Sequence, residues 1–183
     1  MDKEKLENLY KKIIETIGED PSREGLKETP SRIAKSMTKL FGGYNQDPKE
    51  MVTVFDGENY DEMIICKDID FYSNCEHHMQ PFFGKIAIGY IPRKKIIGLS
   101  KLPRLVEVYS RRLQNQERLT MQIANALYEL IEPKGVGVVI DGKHFCMMAR
   151  GVEKQNASMT TSNFRGLFKK DQKTRSEFLK LIK

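Results

Sequence analysis

The sequence lacks tryptophan and contains only three cysteines and three histidines among 183 residues. Three cysteines are too few, and odd in number, for a disulfide framework, so we expect free thiols or metal thiolates in a reducing compartment. No apolar run approaches the ~20 residues needed to cross a bilayer. The amino terminus is charged from its second residue and lacks the apolar stretch of a signal peptide. These absences predict a cytoplasmic protein with no membrane partner.

The composition, 39% hydrophobic and 31% charged, is that of a folded chain without disordered character. The net charge of +6 invites a nucleic-acid interpretation. However, residues 167–183 contain six Lys or Arg against two acids, a net of +4, and a solvated terminal helix explains this imbalance. The sequence also has no RNP-like aromatic motif, so no nucleic-acid partner is predicted, while binding of a small polyanion stays open.

Hydrophobic spacing predicts two parts. One helix ends near Gly18, and a second begins with Thr29 as its cap and Pro30 at its first position and stops at Gly42. We interpret residues 1–62 as an N-terminal helical arm that is too small to hold a core alone. Residues 63–183 then form the second part, which we predict to be the catalytic domain with a basic C-terminal helix.

The second part has an alternating pattern of strands and helices. Two strand candidates, MIICKDIDFYS and GKIAIGYIP, precede two amphipathic helices, of which the first runs as far as Leu113. Two further strand candidates, GVGVVID and FCMMARGV, follow, and a last helix covers residues 173–182. The order predicts an α+β domain with an antiparallel sheet.

Cysteine and histidine concentrate in two short segments. Cys75, His77 and His78 lie in the loop between the first two predicted strands, and His144 and Cys146 lie at the predicted turn between the last two. Two sulfurs and a nitrogen suit zinc and leave one tetrahedral position open, which is what a hydrolytic site needs. On an extended chain, the side chains of His144 and Cys146 would share one face.

Two other interpretations of the sequence concern the same residues. Cys66 could supply a fourth ligand, which would make the site a closed structural one. Residues 137–143 match GxxxxGK, but His144 replaces the Ser or Thr that would hold magnesium, and the interior is a β-branched strand. We therefore reject a P-loop.

Cationic residues cluster at the start of the first middle helix. Ser100, Lys101 and Arg104 fall within its first turns, where backbone N–H groups and charge can bind phosphate, and Arg150 lies four residues beyond Cys146.

Other charged side chains on the middle helices have a plainer interpretation. Arg111, Arg112 and Arg118 are best explained as a solvated helix face. Glu117 is ambiguous from spacing, since a carboxylate at a helix start is often only a partner of the helix dipole.

Several long motifs, in this order, resemble the GTP cyclohydrolase I family. They run from about residue 18 to residue 166 and read GEDPSREGLKETPSRIAKS, CEHHMQPFFGKIAIGYIP, GLSKLPRLVEVYSRRLQNQERLTMQIANAL and GVGVVIDGKHFCMMARGVEKQNASMTTS. Met79, where the family usually has Leu, and Ala149 are slight departures that carry no reactive group.

The resemblance implies a site and a reaction. Zinc, one ion per subunit, would be held by Cys75, His78 and Cys146, with His77 and His144 as the acid–base pair and no redox cofactor. The implied reaction takes GTP and water, opens the guanine imidazole ring at C8, releases formate and closes the ring of 7,8-dihydroneopterin triphosphate. This is the first step of folate and pterin biosynthesis.

The resemblance also assigns the side chains that hold the substrate. Glu117 and Gln116 would read the guanine edge, Lys101, Arg104 and Arg150 would hold the triphosphate, and Ser100 would assist the sugar rearrangement. The implied fold is the tunnelling fold, an antiparallel four-stranded sheet with two helices between its second and third strands. The family assembles this fold into a homodecamer of two pentamers with active sites between subunits.

Three other functions are considered, and the first two make predictions that differ from those of a cyclohydrolase. A zinc nucleoside deaminase would carry H-x-E followed by P-C-x-x-C, and neither occurs in the sequence. A zinc-stabilised nucleic-acid-binding module predicts a fourth metal ligand and salt-sensitive binding. A tunnelling-fold relative could bind a purine or pterin for different chemistry.

Overall fold

The structure, a computed structural model, describes all 183 residues, which form two compact units, Met1–Gly42 and Gly43–Lys183. The helices are α1 (Lys3–Thr16), α2 (Thr29–Leu40), α3 (Pro48–Met51), α4 (Lys101–Ser110), α5 (Gln116–Ile131), α6 (Phe145–Met148), α7 (Leu167–Lys170) and α8 (Gln172–Leu181). The strands are β1 (Val54–Asp56), β2 (Ile64–Cys75), β3 (Pro81–Ile91), β4 (Lys95–Ile97), β5 (Leu113–Gln114), β6 (Gly135–His144) and β7 (Met159–Gly166).

The first unit is a pair of helices that pack against each other. The side chain of Asp2 caps α1 by accepting from the backbone N–H of Lys5 at 3.0 Å. Between the helices, the hydroxyl of Tyr10 donates to Sδ of Met37 over 3.9 Å. Both predicted helices are confirmed, although the cap residue of α2 is Glu28, one position before the predicted Thr29.

The second unit is built on a five-stranded sheet of order β5-β2-β3-β6-β7. Strands β2, β3, β6 and β7 pair antiparallel, and the two-residue β5 adds a parallel pairing at the end of β2. Because α4 and α5 lie between β3 and β6 in the chain, the predicted tunnelling-fold order is confirmed. A separate two-stranded sheet, β1 with β4, was not predicted.

The main core lies between one face of this sheet and the helices α4 and α5. Alternate residues of β3, such as Ile86 and Ile88, are fully buried there, as the period-two geometry of a strand requires. Leu105 of α4 and Ile123 of α5 are buried against them. The core holds the ends of β2 and β6 beside the start of α5, and the candidate functional residues occupy this region.

A second, smaller cluster covers the sheet through α7 and α8. Phe168 and Phe178 are fully buried together with Val139, whereas Lys169 and Lys180 of the same helices are exposed. A Cβ atom at Gly89 would lie 2.7 Å from the ring of Phe178, and one at Gly137 would lie 2.6 Å from the ring of Phe168. The missing side chains of these two glycines provide the space for the two phenyl rings.

Two predicted element positions are wrong. The segment FCMMARGV is not a strand, because residues Phe145–Met148 form a helical turn after β6, and the fourth antiparallel strand is β7. The first middle helix ends at Ser110, so Leu113 belongs to β5 and not to the helix. The predicted final helix is present as α8.

Residues 43–62, which the sequence analysis assigned to the arm, lie in the second compact unit. The backbone N–H of Gly43 donates to the carbonyl of Arg111 at 3.1 Å, and that of Gly57 donates to the carbonyl of Lys94 at 2.8 Å. These bonds and the pairing of β1 with β4 explain the position of the boundary. None of the helices combines the length and apolar character that crossing a membrane requires.

Candidate active site

A tight turn between β2 and β3 presents the first two side chains of a group that could hold a metal ion, Cys75, His78 and Cys146, here called the metal-ligating group. The backbone N–H of Cys75 donates to the carbonyl of Gln80 at 2.8 Å, and the carbonyl of Cys75 accepts from the N–H of Met79 at 2.7 Å. Met79 completes the turn with a left-handed backbone, φ +54°. In this turn Nδ1 of His78 lies 3.6 Å from Sγ of Cys75.

The third member of the group arrives from the end of β6. Cys146 lies in α6, and the ligand atoms of Cys75, His78 and Cys146 all lie within 4.8 Å of one another. The prediction that His144 and Cys146 share one face of an extended strand is wrong, because a helical turn begins directly after His144.

The group has the donor chemistry and spacing of a metal site. Tetrahedral zinc with ordinary Zn–S and Zn–N bonds places sulfur and nitrogen ligands ~3.5 Å apart, close to the 3.6 Å between Cys75 and His78. Burial and the adjacent thiol of Cys75 raise the pKa of the Cys146 thiol, so a bound cation would offset the cost of two neighbouring thiolates. The three residues could therefore hold a metal ion.

Cys66 does not belong to this group. It lies on β2, roughly 30 Å of extended chain before Cys75 at ~3.3 Å per residue, and it packs against the main core. The alternative of a closed site with Cys66 as fourth ligand is therefore wrong. The group could supply three protein ligands, which would leave one position of a tetrahedral metal for a small molecule.

A cavity of about 210 Å³ adjoins the metal-ligating group. Its lining includes His77 and His144 together with residues 114–117, which lead from β5 into the start of α5. His77 is exposed, with Nε2 3.7 Å from Oε1 of Glu76. The structure thus brings both non-ligating histidines of the sequence analysis to the same cavity as the three thiol and imidazole ligands.

The ring of His144 is held on two sides. It stacks on Phe82, with centroids 4.6 Å apart and an interplanar angle of 6°, and its Nε2 lies 2.9 Å from Oε1 of Gln116. Burial lowers the pKa of His144, while the charge of Glu117 acts in the opposite direction. The neutral imidazole is therefore favoured in the absence of substrate.

The start of α5 contributes two very different side chains to the site. Asn115 caps the helix by accepting from the backbone N–H of Arg118 at 2.8 Å. Directly after it, Gln116 is only 3% exposed and bonds inside the protein, whereas Glu117 is exposed and lines the cavity.

The turn that carries the ligands is tied to the start of α5 through Glu76. Its carboxylate accepts from Nδ2 of Asn115 at 2.9 Å and pairs with the guanidinium of Arg118, which holds the pKa of Glu76 below its usual range. We expect Glu76→Ala to weaken zinc affinity about tenfold, because a freed turn no longer presents Cys75 in place. Competition titration with a chromophoric chelator measures this change.

The matched control is Glu107→Ala, which removes the ion pair with Arg111 on α4 at 3.4 Å and leaves the turn intact. Its zinc affinity should equal that of the unaltered protein. An unchanged affinity in Glu76→Ala would show that the turn holds its shape without the carboxylate.

The remaining predicted site residues lie elsewhere in the chain. Ser100, Lys101 and Arg104 are at the beginning of α4, and none of them lines the cavity. Since α4 is ~15 Å long and its far end leads into β5 beside Cys75, these residues are distant from the metal-ligating group of the same chain. Arg150 is exposed just beyond α6, and its charge acts to lower the pKa of the Cys146 thiol.

The interpretation of the other three arginines as a solvated helix face is wrong. Arg112 donates to the carbonyls of Val108 and Gly43, both at 2.8 Å, and its guanidinium lies over the ring of Tyr109 at 5.1 Å. Arg111 and Arg118 are likewise only partly exposed. Periodicity alone did not reveal the roles of Arg112 and Arg118 because their partners, Gly43 and Glu76, lie in distant segments.

Comparison with known proteins decides the family. A family described as GTP cyclohydrolase I matches residues 6–183 of the sequence. The chain belongs to the GTP cyclohydrolase I family.

Individual members of the GTP cyclohydrolase I family match over almost the whole chain. A GTP cyclohydrolase 1 of Wolinella succinogenes is 55% identical over 175 residues, covering 95% of this chain and 94% of that protein. A GTP cyclohydrolase 1 of Helicobacter pylori is 54% identical over 180 residues, covering 97% and 99%. One from Leptospira biflexa is 55% identical, covering 97% and 98%.

Among solved structures, the apo form of an archaeosine synthase QueF-Like matches with a TM-score of 0.46 and 16% identity. The match covers 57% of this chain and 93% of that one.

Proposed function

We propose that this protein is an enzyme that hydrolyses the imidazole ring of GTP and forms 7,8-dihydroneopterin triphosphate. Two additions of water cleave the bonds that hold C8 in the ring, and C8 leaves as formate. The later ring closure releases one water. The reaction therefore consumes no oxidant or reductant. The observation that carries the proposal is the position of the Cys75, His78 and Cys146 group beside a cavity that also contains His77 and His144, in a chain of this family.

Zinc is the metal that this donor set favours, since two thiols and an imidazole suit it and leave one coordination position open. When bound, it would lower the pKa of a coordinated water to ~7 and so supply a nucleophile at neutral pH. The thiols must remain reduced for this purpose, which supports a cytoplasmic location.

His144 and His77 are the proton-transfer groups. His144, neutral in the absence of substrate, takes up a proton from the attacking water and passes it to N7 of the guanine ring. Protonation of that nitrogen makes C8 more electrophilic. His77 is exposed at the cavity and is free to move a proton on the ribose during ring opening and rearrangement. Ser100 assists that later rearrangement.

Glu117 recognises the guanine edge. Its carboxylate lies exposed on the cavity wall and can accept from a ring N–H and an amino group. The resemblance placed Gln116 in the same role, but the side-chain amide of Gln116 is buried and engaged inside the protein at both ends. We therefore assign guanine recognition to Glu117 alone.

The triphosphate is held by Lys101, Arg104 and Arg150. We expect Lys101→Ala to raise KM for GTP about tenfold with little change in kcat, because one charge-assisted hydrogen bond is lost in both ground and transition state. Steady-state kinetics on Lys101→Ala beside Lys95→Ala, an exposed lysine of β4, measures the difference. A fall in kcat at unchanged KM would contradict a binding role.

The site is completed by neighbouring copies in a homodecamer. Support comes from Ser100, Lys101 and Arg104, which lie outside the cavity of their own chain. Support also comes from β7, which has an unpaired edge that a neighbour can cover. Sedimentation equilibrium tests this assembly, and a chain that stays monomeric at assay concentration would contradict it.

The deciding experiment is incubation of the zinc-loaded protein with GTP, with formate and the fluorescent oxidised pterin measured together. Equal amounts of both, lost on addition of a chelator and restored by zinc, are the expected result. Formate without pterin would remove the rearrangement from the proposal. The absence of both products would contradict the proposal.

A further inference from the structure

The side-chain amide of Gln116 has only one possible orientation. Its Nε2 lies 2.7 Å from the carbonyl oxygen of Met159 and 3.1 Å from that of Ile140. Backbone carbonyls only accept hydrogen bonds, so the amide end that faces them must be the NH2 group. The opposite orientation would place an oxygen against two oxygens in a buried position.

Two threonine hydroxyls support the same orientation. Oγ1 of Thr120 lies 2.6 Å from the backbone carbonyl of Gln116, so its proton is donated there. Oγ1 of Thr161, 2.7 Å from Thr120, then donates to Thr120 and can only accept from Nε2 of Gln116 at 3.1 Å. Every polar neighbour of Nε2 is therefore an acceptor.

The fixed amide determines which nitrogen of His144 carries a proton. Oε1 of Gln116 is an acceptor and lies 2.9 Å from Nε2 of His144, so that nitrogen must donate. In the neutral imidazole the proton is then on Nε2 and the lone pair is on Nδ1. The parallel ring of Phe82 holds the plane of the imidazole and prevents the ring from turning away.

We propose that Gln116 is a positioning residue that fixes His144 in its Nε2–H tautomer, so that Nδ1 is the nitrogen that exchanges a proton during catalysis. The bond to Gln116 persists whether or not Nδ1 is protonated, because Nε2 donates in both states. The catalytic part of this inference rests on the proposed function, whereas the tautomer is a property of the chain itself.

The test combines a spectroscopic and a kinetic measurement. Ring nitrogens labelled with ¹⁵N are observed by NMR at pH 8 in metal-free and zinc-loaded full-length protein, with signals assigned by their loss in His77→Gln and His144→Gln. We expect the unaltered protein to show one tautomer of His144, protonated at Nε2. In Gln116→Met we expect loss of that single tautomer and a fall in kcat on the order of 10²-fold at nearly unchanged KM for GTP.

A second variant perturbs the amide without altering it. A Cβ at Gly142 would lie 2.3 Å from Oε1 of Gln116, while its other close neighbours are the amide carbon and Phe71. Gly142→Ala should therefore displace Oε1 and change both measurements in the same direction as Gln116→Met. The control is Asn125→Leu, which removes another side-chain amide of α5. Asn125 bonds to Arg165 and not to His144, and it does not line the cavity.

Each outcome decides the inference. A His144 protonated at Nδ1 in the unaltered protein overturns it, as does an unchanged tautomer and kcat in Gln116→Met. A raised KM at constant kcat would return Gln116 to guanine recognition. An equal tautomer change in Asn125→Leu would indicate general loosening of α5 and overturn the specific role. Absence of formate from the unaltered enzyme would contradict the proposed reaction alone, because the NMR result stands without turnover.

Discussion

Replacement of Cys146 by serine is expected to abolish formate release from GTP, with a loss of at least ~10³-fold, while the protein stays folded. Serine is nearly isosteric with cysteine, but its hydroxyl does not ionise near neutral pH and is a poor ligand for zinc. Only Cys75 and His78 would remain of the group. The measurements are formate production, zinc content by atomic absorption, and thermal unfolding followed by circular dichroism.

The matched control for this change is Cys66→Ser. Cys66 is half-buried on β2, far along the strand from the metal-ligating group, so the same chemical replacement there should leave zinc content and formate release unchanged. Full activity in a Cys146→Ser protein that contains no zinc would exclude a catalytic metal. Loss of activity with zinc retained would place the role of Cys146 elsewhere than in metal binding.

Replacement of His144 by alanine should reduce formate release by roughly 10²–10⁴-fold, the usual contribution of a positioned acid–base group. His144 is not a member of the group that holds the metal, so zinc content should be unaffected. Removal of the ring also leaves the face of Phe82 uncovered and Oε1 of Gln116 without its donor, so a modest fall in unfolding temperature is expected.

Lys143→Ala is the control for His144→Ala, since Lys143 is the preceding residue of β6 and is exposed. It should retain formate release, zinc content and stability. Substantial formate release from His144→Ala would mean that another group, of which His77 is the first to examine, handles the proton at the guanine ring.

The metal-ligating group could be predicted from sequence because the chain uses so few of the relevant residues. All three histidines and two of three cysteines fall into two segments, and the fold brings these segments together. The order of strands and helices was also predictable, since Ile86 and Ile88 on β3 and the apolar stripes of α4 and α5 have clear periods.

Other features depend on contacts that a local pattern does not contain. The apolar run at residues 145–148 is compatible with a strand as well as with a helical turn. Hydrophobic periodicity cannot distinguish the two structures in so short a run. The polar strand β7 has no alternation to reveal it, and β5 is only two residues long. The role of Gln116 depends on carbonyls that lie 24 and 43 residues away, so no spacing rule predicts it.

The space that Gly89 and Gly137 leave for two phenyl rings limits how the sequence of the carboxyl-terminal segment can diverge over evolutionary time. A methyl group at either glycine collides with a phenyl ring, so alanine there is tolerable only if Phe168 or Phe178 becomes smaller at the same step. Each intermediate in that exchange has either a clash or a void, and both destabilise the domain. The exposed lysines of the tail can drift one at a time, whereas its phenylalanines can change only as compensated pairs with the central strands.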